Sequence, residues 1–452
     1  EVANSWEVLQ GGRKYIFHLR DDVHWSDGTL VTAGDFEYAW KRFLNPVTGP
    51  HDAKLLYDVK GAKPYHECEV SDSDSVGVRA IDDLTLVVEL EEPTGYFLSL
   101  AAYRATYPVP RHVVEACGDA WTEVSNMVTN GPFKLEAWTH GQSMVLLRNP
   151  AYHGPFRGNV ERVELSLFSS AEWSSALAMY EADSLDIVEL VDLPPMEMDR
   201  ARPQYAGEYA SVPLLFTIYL GFNVSRPPFD DPRVRRAFVL AADRERLADV
   251  VWRGSYSPAT GGFIPAGMPG HSAAIGLPYD PEQACQLLAE AGYAGGRGFP
   301  VVDALVLRRR VPDAEYLKEQ WRETLGLDVK WRGMGLGSLV NILDKEPPHL
   351  FLLGWVADYP DPDSFLRVCS AHGRTQWRNR VYERLVEEAR RISDQADRLT
   401  MYQQADRILV KEAAIVPLLY RRSHLLVKPW VSDYPTSATN VSFWKDVVIE
   451  AH

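Results

Sequence analysis

Cysteine is scarce in this chain: its 452 residues include only four, Cys68, Cys117, Cys285 and Cys369. None of the four lies in a Cys-x-x-Cys pair, which argues against a zinc site or a thiol redox motif. Cys68 and Cys117 both fall in the N-terminal part of the chain and could form a disulfide in an oxidising compartment. The interpretation that we favour is that the cysteines are isolated small core residues.

Long apolar runs and an excess of positive charge are also missing. No run approaches the ~20 apolar residues that a membrane-spanning helix needs. Lysine and arginine number 47 against 62 aspartates and glutamates, which gives a net charge of -15. An acidic surface argues against nucleic acid and anionic membranes as direct partners. The same acidity would also serve solubility alone.

Common catalytic motifs are absent too. The sequence contains no His-Glu-x-x-His, Gly-x-Ser-x-Gly or Gly-x-x-x-x-Gly-Lys-Ser/Thr pattern, and its 12 histidines are scattered. Asp358, Asp361 and Asp363 could be interpreted as a carboxylate or metal cluster, but the prolines between them fit no calcium-binding loop. We therefore predict that the chain is not an enzyme and holds no metal or cofactor.

Size and apolar content predict several lobes. The chain is 46% hydrophobic and 11% aromatic, enough for a large core and too long for one ordinary domain. Residues 160–189 read as strand, helix and strand, which predicts a mostly parallel sheet. Periodicity also predicts strands at 15–20, 85–89 and 415–420 and helices at 32–45, 280–291, 313–325 and 382–412, the last broken near Asp394.

The most informative segment follows an apolar run at 350–353, which predicts a buried strand. The sequence continues GWVADYPDPD over residues 354–363, an aromatic and acidic loop punctuated by proline. Loops at strand ends are where α/β folds carry ligand contacts. Asp358 could bind a ligand ammonium there through a charge-assisted hydrogen bond, or it could only cap the turn.

Several other segments occur with this loop, in a fixed order along the chain. They are FHLRDDVHWSDGT at 17–29, TAGDF at 32–36, TNGPFKL at 129–135, RNPAY at 148–152, FN at 222–223, FDDPRVRRA at 229–237 and VKPW at 427–430. Together with ADY at 357–359, they resemble the oligopeptide-binding proteins of ABC importers, family 5 of the extracellular solute-binding proteins. The resemblance extends from Val2 nearly to the last residue.

The resemblance implies an α/β fold: a periplasmic-binding-protein-like clamshell of the class II type, with two mixed α/β lobes and an extra small α+β lobe. We expect the small lobe at 1–110, the first part of the large lobe at 111–213, the second main lobe at 214–424, and a return to the large lobe at 425–452. Glu1 matches an internal position of the family, so we also expect upstream residues that include a first strand of the large lobe.

The function that the resemblance implies is that of a solute-binding receptor of an ABC importer. Peptides would be the ligands and ABC permease subunits the partners, and we expect a monomer outside the cytoplasm, as a periplasmic protein or a lipoprotein. Two alternatives stay open. The ligand could be another solute, such as a dipeptide, an oligosaccharide, a nickel chelate or an opine. The chain could instead be the ligand-sensing domain of a cytoplasmic transcriptional regulator.

The resemblance also implies binding residues. The aspartate at position 358 would hold the α-amino group of the peptide, and Trp355 would line a side-chain pocket. Gly354 would let the ligand backbone approach as an added strand. Tyr219 and Asn223 match positions that face the cleft, although packing is the more ordinary role of a strand tyrosine.

Departures from the family pattern bear on the ligand. Leu352 stands where the best-studied peptide binders carry an arginine that meets the ligand carboxylate. Arg310 aligns roughly with a second cationic contact and could bind a carboxylate, or it could belong to a solvated basic run. Glu189 lies in VELVD at 188–192, where binders of long peptides are richer in amides. We therefore expect a more apolar and more acidic cleft, and the ligand need not be a general oligopeptide.

Overall fold

The computed structural model describes residues 2–49, 51–169, 172–190, 193–369, 371–439 and 443–452. The strands are β1 (Ala3–Leu9), β2 (Lys14–Leu19), β3 (Val78–Asp82), β4 (Thr85–Glu89), β5 (Phe133–Thr139), β6 (Ser143–Arg148), β7 (Arg162–Ser166), β8 (Ile187–Glu189), β9 (Tyr209–Phe222), β10 (Tyr256–Pro258), β11 (Asp303–Leu307), β12 (Lys330–Met334), β13 (Leu350–Val356), β14 (Ile415–Val427), β15 (Val431–Ser432) and β16 (Val448–Ile449).

Helices alternate with these strands. They are α1 (Ala33–Leu44), α2 (Ala62–His66), α3 (Phe97–Ala101), α4 (Arg111–Cys117), α5 (Trp173–Glu181), α6 (Pro195–Gln204), α7 (Pro232–Leu240), α8 (Arg244–Arg246), α9 (Pro281–Glu290), α10 (Val311–Leu325), α11 (Leu336–Lys345), α12 (Ala371–Thr375), α13 (Arg380–Ala389) and α14 (Gln395–Lys411). None of these described helices combines the length and the apolar character that a bilayer span requires.

A small antiparallel sheet, in the order β1-β2-β4-β3, forms the N-terminal part of the molecule. The helix α1 contacts this sheet and buries one face that includes Trp40 and Leu44. Its N-terminus is held by a capping box, in which the backbone N–H of Thr32 donates to the carboxylate of Asp35 at 2.9 Å. The core beneath the sheet also contains Tyr359, from far along the chain. The Tyr359 ring therefore connects this core to the loop after β13.

The large sheet has seven strands, in the order β10-β14-β9-β13-β11-β12, with β8 added to β14. Its two long strands, β9 and β14, pair antiparallel from Gly221–Ile415 to Tyr209–Leu426. β13 is antiparallel to β9, whereas β11 is parallel to both β12 and β13. The sheet is therefore mixed, and the carboxyl ends of β11 and β13 lie at the same edge.

Strand alternation gives the large sheet two buried faces. Leu350 and Leu352 of β13 belong to a core with Trp321 of α10, and this side is called the α10 face below. Phe351 and Leu353 belong to a second core with Tyr402 of α14, the α14 face. Because both faces are covered, the central strands read as continuous apolar runs.

The predicted parallel pairing within residues 160–189 is wrong. β7 is an edge strand of an antiparallel sheet, β5-β6-β7, whereas β8 pairs antiparallel with β14 in the large sheet. A cavity of about 840 Å³ has lining residues on both of these strands. Periodicity identified the strands, but it carries no information about which strand is the neighbour.

The cysteines are all free in the structure. No disulfide therefore joins Cys68 to Cys117; Cys68 and Cys285 are exposed and Cys117 is partly exposed. The interpretation as small core residues holds only for Cys369, which is buried in the core on the α14 face.

Candidate functional site

The carboxyl end of β13 has an unpaired edge. On one side β13 pairs with β9 over its whole length, as far as the pair Val356–Phe216. On the other side its pairing with β11 ends at Leu352, and the chain after β11 turns away at 308–310. Within the described part of the chain, residues 353–356 therefore have no strand on that side. An extended backbone could add to this edge through sheet-type hydrogen bonds.

Gly354 lies within this unpaired edge. A Cβ on this residue would lie 2.5 Å from the ring of Phe216, far inside van der Waals contact. The absence of a side chain at Gly354 therefore accommodates the Phe216 ring on the α10 face. The sequence did not indicate this contact, and it is a packing reason for glycine in addition to the predicted approach of a ligand.

The hydroxyl of Ser364 connects two of the predicted binding residues. This buried oxygen accepts the indole N–H of Trp355 at 3.4 Å and the backbone N–H of Asp358 at 3.1 Å. Trp355 packs partly buried against the core on the α14 face, and Asp358 is also partly exposed. The structure thus brings Gly354, Trp355 and Asp358 together at the end of one strand.

A buried ion pair supports the loop from below. Asp363 has no exposed surface and accepts hydrogen bonds from the guanidinium of Arg367 at 2.6 and 2.9 Å. The hydroxyls of Tyr359 and Tyr402 donate to the same carboxylate at 2.7 and 3.0 Å. Burial, followed by the charge of Asp363, raises the pKa of both tyrosines well above its ordinary value. Both hydroxyls therefore stay protonated and act as donors.

The same arginine reaches the N-terminal sheet. Arg367 lies 3.4 Å from a carboxylate oxygen of Asp58 and also donates to the hydroxyl of Tyr96. The Tyr96 ring stacks on Tyr359 with their centres 5.2 Å apart. We call Asp58, Tyr96, Tyr359, Asp363 and Arg367 the joint. It holds the N-terminal core against the loop that carries Asp358.

Asp361 does not offer a metal site either. It is buried and pairs with Arg398 at 2.7 Å. Burial raises the pKa of Asp361 to about 6, although the charge of Arg398 acts in the opposite direction. The residues that the structure describes contain no cluster of three or more histidine, cysteine or acidic side chains that could hold a metal ion.

Two predicted site residues are corrected by their burial. Tyr219 has no exposed surface and packs on the α14 face between Phe263 and Phe351, with ring centres 5.1 and 6.1 Å away. Asn223 is buried after β9, where its amide donates to the carbonyl of Pro347 at 3.0 Å. Both side chains organise the protein interior and do not face an open cleft in this conformation.

Arg310 is corrected as well, and Glu189 lies elsewhere. The guanidinium of Arg310 is buried on the α10 face between the rings of Trp252 and Tyr256, 4.6 Å from each centre. The carboxylate of Asp313 lies 3.6 Å from this guanidinium, so Arg310 already has an ion-pair partner within the protein. Glu189 is partly exposed on β8 and lines the 840 Å³ cavity, away from the end of β13.

The sequence analysis did not identify Phe216 or Arg421. It also did not identify Asp58, Tyr96 and Arg367 of the joint. A signal for Arg421 was present, since the polar run RRSH at 421–424 interrupts the apolar residues of the strand at 415–427. No comparable signal existed for the joint, because Tyr96 and Arg367 are 271 residues apart.

The fold and this strand end define a solute-binding protein, and comparison with known proteins identifies the family. The model of the bacterial extracellular solute-binding proteins, family 5, matches residues 1–377. The chain therefore belongs to this family, as the sequence motifs indicated.

Individual relatives cover the whole chain. It is 33% identical to the probable deoxycholate-binding periplasmic protein YgiS of Escherichia coli K12, over 100% of this chain and 85% of the relative. It is 31% identical to the periplasmic oligopeptide-binding protein OppA of the same organism, over 96% and 81%. Among solved structures, Haemophilus influenzae OppA in complex with the peptide RPPGFSPFR superposes with a TM-score of 0.80 at 28% identity, covering 100% of this chain and 90% of that one.

Proposed function

We propose that this chain is the solute-binding receptor of an ABC importer and that its ligands are peptides. The observation that carries the proposal is the unpaired edge at 353–356, which ends in the loop with Asp358. An open strand edge matches the main chain of a peptide whatever its side chains. A partly buried carboxylate beside it matches the ammonium of the first residue. The names of the OppA relatives support this ligand class.

The two long strands suit a receptor that closes on its ligand. We propose that β9 and β14 cross between the two main lobes, with limits near residues 213 and 425 as the sequence predicts. Ligand held between the lobes would bias an open–closed equilibrium toward the closed form. The closed form would be the one that the membrane permease recognises. That recognition would take place outside the cytoplasm, in agreement with an extracellular family.

Calorimetry with trialanine and N-acetyl-trialanine tests the proposal. The wild type is expected to bind trialanine more tightly, since acetylation removes the ammonium. Asp358→Asn should weaken trialanine binding by about 10- to 100-fold, the usual range for one charge-assisted contact, and should remove the preference for the free amine. Asp328→Asn, at an exposed position, removes the same charge elsewhere and serves as the control. Unchanged affinity in Asp358→Asn, or equal binding of both peptides by the wild type, would overturn the assignment.

A second candidate ligand is an amphipathic carboxylate. The relative named as probably deoxycholate-binding is 33% identical over the whole chain. Leu352 does not bear on the choice, since its side chain has no exposed surface and lies in the core on the α10 face. The carboxylate of Asp358 opposes this candidate by repulsion. Tight binding of deoxycholate, with no binding of any short peptide, would establish the second candidate over the first.

A further inference from the structure

One arginine of the large sheet, Arg421, lies on β14, two strands from β13. The guanidinium carbon of Arg421 is 5.5 Å from the centre of the Phe216 ring. The same ring occupies the space over Gly354 on the α10 face. Arg421, Phe216 and Gly354 therefore form a continuous path across three neighbouring strands, from β14 through β9 to β13.

The charge of Arg421 has no ionic partner among the described residues. None of their carboxylates lies within ion-pairing distance of this partly buried side chain, and its buried Nε has no hydrogen-bond acceptor. Arg398 also has a buried Nε without an acceptor, but Arg398 and Arg367 each pair with a buried aspartate, and Arg421 does not. A buried donor without an acceptor is costly, and more so when it is charged. An anion supplied from outside the chain would remove that cost.

Two further arginines contact the neighbours of His424, which follows Arg421 by three residues on β14, and both donate to neutral oxygens. Arg422 donates to the backbone carbonyl and hydroxyl of Ser211. Arg202 donates to the carbonyl of Arg253 and the hydroxyl of Ser255. None of the three has an ion-pair partner among the described residues, although the chain as a whole carries a net charge of -15. We call Arg202, Arg421 and Arg422 the arginine corner.

The histidine beside these arginines, His424, does not change the net charge of the arginine corner. The Nε2–H of His424 donates to the carbonyl of Ser255, and its Nδ1 accepts the hydroxyl of Tyr209. Burial, together with the charges of the three arginines, lowers the pKa of His424 to about 4. His424 is therefore neutral near pH 7, and the corner keeps the positive charge of its arginines.

We propose that Arg421 binds a carboxylate group of the ligand, with Arg202 and Arg422 reinforcing the positive charge around it. The inference rests on the proposed function, because Asp358 would hold the ammonium of the same molecule. The planar guanidinium suits two parallel hydrogen bonds to a carboxylate. The carboxylate could be the C-terminus of a peptide or an acidic side chain.

Calorimetry with two matched peptide pairs tests the proposal and separates the two sources of carboxylate. The first pair is Ala-Ala-Ala and its C-terminal amide; the second is Ala-Glu-Ala amide and Ala-Gln-Ala amide. The wild type should prefer the acid in one pair by about 10- to 100-fold, which identifies the source. Arg421→Gln should remove that preference, whereas Arg421→Lys, which keeps the charge but not the planar fork, should retain part of it. Arg297→Gln, an exposed arginine outside the corner, is the control.

The results that would overturn the proposal are distinct from those that would overturn peptide binding. Peptide binding without preference in either pair, or a preference that persists in Arg421→Gln, would refute the role of Arg421 and leave the peptide proposal intact. If the wild type binds no peptide but binds deoxycholate, the peptide proposal fails. A large loss of deoxycholate affinity in Arg421→Gln would then support the carboxylate role, and an unchanged affinity would refute it. Absence of binding to every probe would overturn both.

Discussion

Replacing Arg367 by methionine should destabilise the protein by removing the cation of the joint. The change leaves Asp363, which has no exposed surface, and Asp58, which is almost fully buried, without their shared charge partner. Breaking a buried ion pair costs about 3–5 kcal/mol. The Arg367 side chain keeps 24% of its surface exposed, and Asp363 keeps two tyrosine donors, so we expect the low end, about 3 kcal/mol.

Differential scanning calorimetry provides the measurement. Unfolding entropy scales as roughly 2 cal/mol/K per residue, so a loss of about 3 kcal/mol lowers the Tm of a chain of 452 residues by about 3 °C. Arg391→Met is the matched control, because Arg391 is exposed and its distance to Glu387 is 3.8 Å. That surface pair should contribute no more than about 1 kcal/mol.

A double-mutant cycle tests whether the loss comes from the pair itself. Asp363→Asn combined with Arg367→Met removes both charges, so the double variant should lose at least about 1 kcal/mol less than the sum of the single losses. Equal Tm values for Arg367→Met and Arg391→Met, or strictly additive losses in the cycle, would refute the description of the joint as a buried, mutually dependent pair.

Three further predictions follow from individual residues. Gly354→Ala should weaken ligand binding, measured by calorimetry, because the new Cβ would lie 2.5 Å from the Phe216 ring and would push the ring aside. Unchanged affinity would contradict this packing. Gly95→Ala should lower the Tm, because its Cβ would lie 2.5 Å from the carbonyl oxygen of Ile392, and an unchanged Tm would show that this contact relaxes freely. Burial raises the pKa of Asp406 to about 7 from its ordinary 3.8, so the folded state holds this proton more tightly than the unfolded state. The resulting stabilisation is complete below about pH 4 and is lost as the pH rises to about 7, by up to about 4 kcal/mol. As the pH rises over this range, the Tm of the wild type should therefore fall relative to the Tm of Asp406→Asn. A Tm difference between the two proteins that does not vary with pH would contradict the raised pKa of Asp406.

Local elements could be predicted from the sequence where the chain itself carries the signal. The break in the long helical pattern near Asp394 is real, since the Asp394 carboxylate caps α14 by accepting the backbone N–H of Asp397 at 3.0 Å. The predicted strand at 85–89 has the observed bounds. The strand predicted at 415–420 instead continues to Val427, because Arg421 and Arg422 interrupt the apolar pattern that was used to define it.

Contacts between distant parts of the chain could not be predicted in the same way. Motif order identified the family, and through it the α/β clamshell and the loop of Asp358. The sheet partners of β7 and β8 were wrong, since neither strand encodes its neighbour. The sequence around Tyr219 is equally compatible with a side chain that faces a cleft and one that faces a core. Only its pairing with Leu353 on β13 shows that the side chain lies on the α14 face.

We propose above that the unpaired edge and Asp358 bind a peptide with a free amino terminus. Native mass spectrometry of the purified protein, followed by release of any bound ligand under mild denaturation, tests this binding most directly. We expect a released mass that fragments as a short peptide with an unmodified N-terminus. Release of a bile acid or another non-peptide solute, or an empty protein that no peptide library stabilises against heat, would contradict it.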